Sequence, residues 1–97
     1  MKQINELKKS EWNKEFIELM NNRMIMGAFR YGKLKEQPLQ FYNFPIEAMK
    51  RISKYNATHN LEHLIDAANM LMIQYTIGKQ DGEQVISIDD GEHNKKC

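Results

Sequence analysis

At 97 residues the chain makes one domain with a modest core, a size at which association with a partner often completes the fold. Its 14 Lys and Arg against 13 Asp and Glu give a net charge of +1, which excludes the uniformly basic body of a protein that coats duplex nucleic acid. The single cysteine, Cys97, excludes an internal disulfide and a thiolate pair for a metal.

No apolar N-terminal run resembles a signal peptide, and the longest greasy run, Met70–Ile73, is far shorter than a membrane span. The chain therefore reads as soluble and cytoplasmic, with no membrane partner. Its charge is unevenly spread. From Arg30 to Lys54 there are six basic residues against two acids, whereas from Lys79 onward there are five acids against three lysines.

Ser10 reads as the N-cap of a first helix running to Tyr31, with Glu11 in its first turn and Gly32 as its stop. Its apolar stripe is Trp12, Phe16, Leu19, Met20, Met24 and Tyr31. Arg23 and Gly27 fall inside that stripe, which predicts a close helix approach at the glycine. It also predicts a guanidinium that points into a cleft or pairs with a carboxylate such as Asp66. Lys33 to Asn43 lacks a helical period and contains Pro38, so it reads as a loop with Phe41 and Tyr42 tucked against the core.

Pro45 suits the first turn of a second helix, in which Ile46, Ala48, Met49, Ile52 and Tyr55 share one side. Glu47, Lys50, Arg51 and Lys54 gather on a basic outer side. After the polar turn from Asn56 to His59, Asn60 or Thr58 caps a third helix that Gly78 ends. On that helix Leu61, Leu64, Ile65, Ala68, Leu71, Met72 and Tyr75 form the expected core stripe at about 100° per residue. Glu62, Asp66, Asn69 and Ile73 lie in another sector, available for a ligand. Met70, Ile73 and Ile77 add an apolar face opposite the main stripe, which predicts a subunit interface.

These elements predict an all-α, three-helix, hairpin-like domain over residues 1–78 that assembles into a homo-oligomer, followed by a polar tail over residues 79–97. Within the tail, Val85–Ile88 is briefly strand-like and could clip onto another chain.

The chemistry-bearing residues fall into two sets. Glu15 and Glu18 are one helical turn apart, as are Glu62 and Asp66, so facing helices could gather carboxylates around magnesium. His59 and His63 are also four apart, but His59 precedes the expected cap. Arg30, Tyr31 and Lys33 follow on the first helix, while Lys50, Arg51 and Lys54 share a face of the second. Guanidinium forks onto phosphate, lysine adds point charge and tyrosine stacks a base, so with Arg23, His63 and Asn69 these form a candidate phospholigand site. The glycines form neither a phosphate loop nor a dinucleotide fingerprint, and no serine or cysteine stands in a nucleophile motif.

The runs MGAFRYGKL, IEAMKRISKY and HNLEHLIDAANMLMI, spanning roughly Ile25 to Gln74, resemble small helical phage and prophage proteins. Those proteins are related in pattern to MazG-like nucleotide pyrophosphohydrolases and to the helical domain of dATP/dGTP diphosphohydrolases. The resemblance implies an all-α oligomer in which Glu and Asp on two helices hold magnesium against a nucleoside triphosphate. Carried over by position, Glu62 and Asp66 would be ligands from one helix, Asn69 a neighbouring contact, and Glu15 and Glu18 the ligands from the other. The family's first motif, E-E-x-x-E, is reduced here to Glu15-x-x-Glu18, and its E-x-x-D is replaced by Glu62-x-x-x-Asp66. The resulting expectation is a nucleotide or phospholigand binder with little or no turnover, such as a phage counter-defence or nucleotide-pool protein. A magnesium-dependent pyrophosphohydrolase and a helical module that inhibits a host enzyme are the two alternatives.

Overall fold

A computed structural model of the chain describes residues 3–88, and these are all-α as expected. The described helices are α1 (Ile4–Ser10), α2 (Lys14–Tyr31), α3 (Phe44–Thr58) and α4 (Glu62–Gln80), with two short 3₁₀ turns, Leu34–Glu36 and Leu39–Phe41, between α2 and α3. None is long and apolar enough to cross a membrane. Cys97 and the end of the acidic tail lie outside the described residues.

The expected first helix is two. Asn13 rather than Ser10 is the cap of the long helix: its side-chain oxygen accepts the Phe16 N–H at 2.8 Å. Ser10 instead closes α1, donating from Oγ to the Leu7 carbonyl at 3.3 Å. Asn is as good a cap as Ser, and here it wins because α1 has already used the turn before it. Trp12 sits in the break and is exposed. Phe16, Met20 and Met24 are half-buried with Arg23 and Gly27, but Leu19 and Tyr31 are exposed and nothing on α2 is fully buried. The close approach expected at Gly27 is absent, since a Cβ built there meets nothing within 4 Å. Gly32 ends α2 as predicted, at φ 86°, its N–H donating to the Ala28 carbonyl.

The segment after α2 is more ordered than a plain loop, and Gln37 donates from Nε2 to the Gly32 carbonyl at 2.7 Å to tie it back. Phe41 and Tyr42 are exposed, contrary to expectation, because Phe44 fills the core position beside them. Asn43 caps α3 by accepting the Ile46 N–H, and Pro45 lies in the first turn. The packed side of α3 is Phe44, Ala48, Arg51 and Tyr55, whereas Ile46, Met49 and Ile52 are exposed. Arg51 therefore leaves the outer basic side that Lys50 and Lys54 occupy.

His59 ends α3 with a left-handed φ of 57°, and its N–H donates to the Tyr55 carbonyl at 2.7 Å. It thus closes one helix rather than starting the next. Asn60 then accepts the Glu62 N–H at 3.0 Å and opens α4. Gly78 does not end α4, which runs on to Gln80. The reversal is at Gly82 (φ 90°), where the Glu83 N–H reaches the Gly78 carbonyl at 2.8 Å and the Gly82 N–H reaches Lys79. That pair of bonds is a Schellman stop, which needs glycine at the left-handed position rather than four residues earlier. Val85–Ile88 is not a strand.

The core is built on α4, which contributes Ile65, Ala67 and Ile73 against Phe44 and Ala48 of α3, with Asn69 buried among them. Of the expected stripe Ile65 is buried and Leu64 and Ala68 are half-buried, but the rest faces outward. Leu61, Leu71, Met72 and Tyr75 are exposed, while Asn69 and Ile73 face inward and Met70 and Ile77 are half-buried within the chain. The helix is apolar nearly all round, so periodicity alone could not choose its inner side. The polar groups decide it, because Asp66 and Asn69 find partners on α2 and an exposed leucine needs none.

Candidate functional site

Between α2, the 3₁₀ connection, α3 and α4 the structure holds an open cleft of about 910 Å³. That is the size of a small-molecule site. Helix α2 supplies Arg23, Met24, Gly27, Arg30 and Tyr31 to its wall; α3 supplies Glu47 and Arg51; α4 supplies Asp66, Asn69, Met70 and Ile73. Tyr42 and Leu39 close the side formed by the connection, and Tyr42 leans on Phe44 with ring centroids 5.8 Å apart.

Each acid in the cleft wall already faces an arginine. Arg23 Nε lies 3.0 Å from Asp66 Oδ1, and the same guanidinium meets Glu62. Arg51 donates to Glu47 Oε2 at 2.8 Å, and Lys50 reaches the other Glu47 oxygen at 3.3 Å. Hydrogen bonds from Lys50 and then Arg51 hold the Glu47 carboxyl below the usual carboxylate range. Arg30 is exposed on the rim and has no ion-pair partner among the described residues.

At the back of the cleft, Asn69 is 4% exposed. Its Nδ2 donates to the Met20 carbonyl at 3.1 Å, which fixes the amide, and leaves Oδ1 buried with no donor. A buried acceptor of this kind costs roughly 1–3 kcal/mol until something donates to it.

Of the residues singled out from the sequence, Arg23, Arg30, Tyr31, Arg51, Asp66 and Asn69 meet in the cleft wall. Lys33, Lys50 and Lys54 are exposed outside it, and His63 is half-buried without lining it. Glu15 and Glu18 are exposed, with Glu18 3.7 Å from Lys14, and do not join Glu62 and Asp66. Among the described residues no group of three or more His, Cys, Asp and Glu side chains could share a metal ion. Glu62 and Asp66, the carboxylates that the family pattern implies for magnesium, are both paired with Arg23. Glu47, Gln37 and Tyr42 were not singled out; the i, i+4 spacing of Glu47 and Arg51 was the available signal.

No family model matches the chain, and neither does any curated protein or solved structure.

Proposed function

We propose that the cleft binds a nucleotide or nucleotide-derived phosphate ligand, in an assembly of this chain, with little or no turnover. The observation that carries this proposal is the buried Asn69 Oδ1 without a donor. Because Nδ2 is engaged by Met20, the group that completes Asn69 must itself donate, as a base or sugar N–H or O–H does and an ionised phosphate oxygen does not. Beside it lie exposed Tyr31 and Tyr42, whose rings offer a flat apolar surface, and the rim cation Arg30. A ligand with a donor edge, a flat ring and an anionic end fits all three. Satisfying the Asn69 acceptor adds roughly 5- to 150-fold in affinity, from the 1–3 kcal/mol cost above.

Slow or absent turnover follows from Glu62 and Asp66 being paired with Arg23 rather than open to a cation. Sequestering a nucleotide signal, as in phage counter-defence, or buffering a nucleotide pool needs only this binding. The test is calorimetric titration of the full chain with nucleoside mono-, di- and triphosphates, with and without magnesium, alongside a pyrophosphate-release assay. Binding without release is expected. No heat with any nucleotide overturns the proposal, and steady magnesium-dependent release replaces it with the hydrolase.

A further inference from the structure

We infer, on the reading of the cleft as a nucleotide site, that Gly27 is the seat of the ligand's planar ring. Its bare backbone, with Arg23 one turn before it and Arg30 and Tyr31 one turn after, leaves the space in which a base lies against α2.

Only proline is a poorer helix former than glycine, yet α2 carries Gly27 well inside its span, four residues before its end at Tyr31. The ordinary reasons for a glycine do not apply there. The described glycines with a positive φ are Gly32 and Gly82, so Gly27 makes no left-handed turn. Gly32 ends the helix, so Gly27 does not. No other helix presses on it, since a Cβ built there meets nothing within 4 Å. What remains is room for a molecule outside the chain to approach the backbone closely.

That room opens into the cleft. Arg23, Gly27, Arg30 and Tyr31 all line it, and their spacing of four, seven and eight residues sets them on one face of α2. Gly27 is half-buried and forms a gap one side chain wide in this row. The Arg23 side of the gap is fixed, because its guanidinium is held by Asp66 and Glu62. Tyr31 offers an exposed ring on the other side.

A second feature of the same cleft asks for a ligand independently. Asn69 is 4% exposed and its Oδ1 has no donor, while its Nδ2 is tied to the carbonyl of Met20, two turns before Gly27 on α2. A flat ring with an N–H edge meets both needs: its face covers the bare backbone and its donor answers the orphaned oxygen. A helix from a second copy would not, because its own backbone N–H groups are engaged within it.

Calorimetric titration of the full chain, Gly27→Ala and Gly27→Leu with the mono-, di- and triphosphates of adenosine, guanosine, cytidine and uridine tests this, beside thermal melts without ligand. Alanine and leucine are better helix formers than glycine, so neither variant should melt below the unaltered chain. Affinity should nevertheless fall about 5-fold or more with alanine and about 100-fold or more with leucine, the scale of overpacking a filled site. The fold loss should be the same in low and high salt, as befits a ring contact. If the unaltered chain binds none of these nucleotides, the reading of the cleft fails and Gly27 loses its role with it. If it binds and both variants bind equally well, the seat at Gly27 alone is overturned. A loss that fades with salt puts phosphate at Gly27, and a lower melting midpoint for Gly27→Ala puts a protein neighbour there; either result also overturns the seat.

Discussion

The Arg23 guanidinium of α2 closes over Asp66 of α4, Nε to Oδ1 at 3.0 Å, and reaches Glu62 one turn before it. One cation thereby answers two acids that would otherwise repel each other along the helix. The two partners are 34% and 29% exposed, so solvent screens the attraction strongly.

Asp66→Asn should therefore cost about 1 kcal/mol of stability or less, because the amide keeps the shape and Arg23 keeps Glu62. Urea denaturation measures this directly. Nucleotide affinity is expected to survive the change. A loss above about 3 kcal/mol would be the size of a broken buried pair, which this partly exposed geometry does not provide.

Asn69→Leu separates ligand recognition from folding. It removes both the Met20 hydrogen bond and the unpaired acceptor while keeping the volume, so stability should change by about 1 kcal/mol or less. Calorimetry should show nucleotide affinity falling by roughly 5-fold or more. Equal affinity in the variant would remove Asn69 from the site.

Acid should loosen the α3 side of the cleft through Glu47. Its folded carboxyl is held below the ordinary value of 4.5, so the carboxylate form favours the folded state. That contribution is complete above the ordinary value and is lost as pH falls through the lowered one. Thermal melts between pH 7 and pH 3 should show a smaller advantage of the unaltered chain over Glu47→Gln at the acid end.

Arg30→Ala, which removes the rim cation that has no ion-pair partner among the described residues, should weaken nucleotide binding by roughly 1.5–3 kcal/mol, the scale of a charge-assisted hydrogen bond. Lys54→Ala, on the exposed side of α3, should leave it nearly unchanged. Titration of the two variants with the same nucleotide gives the comparison, and equal losses would place the phosphate outside the cleft.

Gly27→Ala tests the open wall of α2. A Cβ there meets nothing within 4 Å and the residue is helical, so the substitution should stabilise by about 1 kcal/mol. For a chain of this size that raises the melting midpoint by about 4–8 °C. A drop instead would reveal a neighbour at Gly27 in the assembled protein.

The long helices were legible because caps and stops are local chemistry: Pro45 and Asn60 opened helices and Gly32 closed one close to where their side chains or φ angles required. The pairing of Arg23 with Asp66 was also legible, from a cation standing in an apolar stripe. What could not be read was the inner side of α4. Leu71 and Tyr75 are as greasy as Ile65 and Ile73, and the choice depends on Met20, 49 residues before Asn69, and on Arg23. The same distance hid the state of Asn69, since its missing donor becomes visible only once Met20 is known to occupy its other end. Asn13 was missed because Ser10 offered an equally good cap three residues earlier.

The short turn at His59 and Asn60 has a consequence for the order of assembly. Helices α3 and α4 are joined by so few residues that their meeting closes only a small loop, which carries little entropic cost. Helix α2 must travel across the 3₁₀ connection to reach α4 and gains no fully buried residue when it arrives. The hairpin is thus the early and durable unit, and α2 is a late arrival held by Arg23 and by the Met20 carbonyl. Since the cleft exists only between the hairpin and α2, it is the last feature to form and the first to part. Hydrogen exchange should show α2 amides opening ahead of those in α4, giving a small molecule an entrance that leaves the core intact.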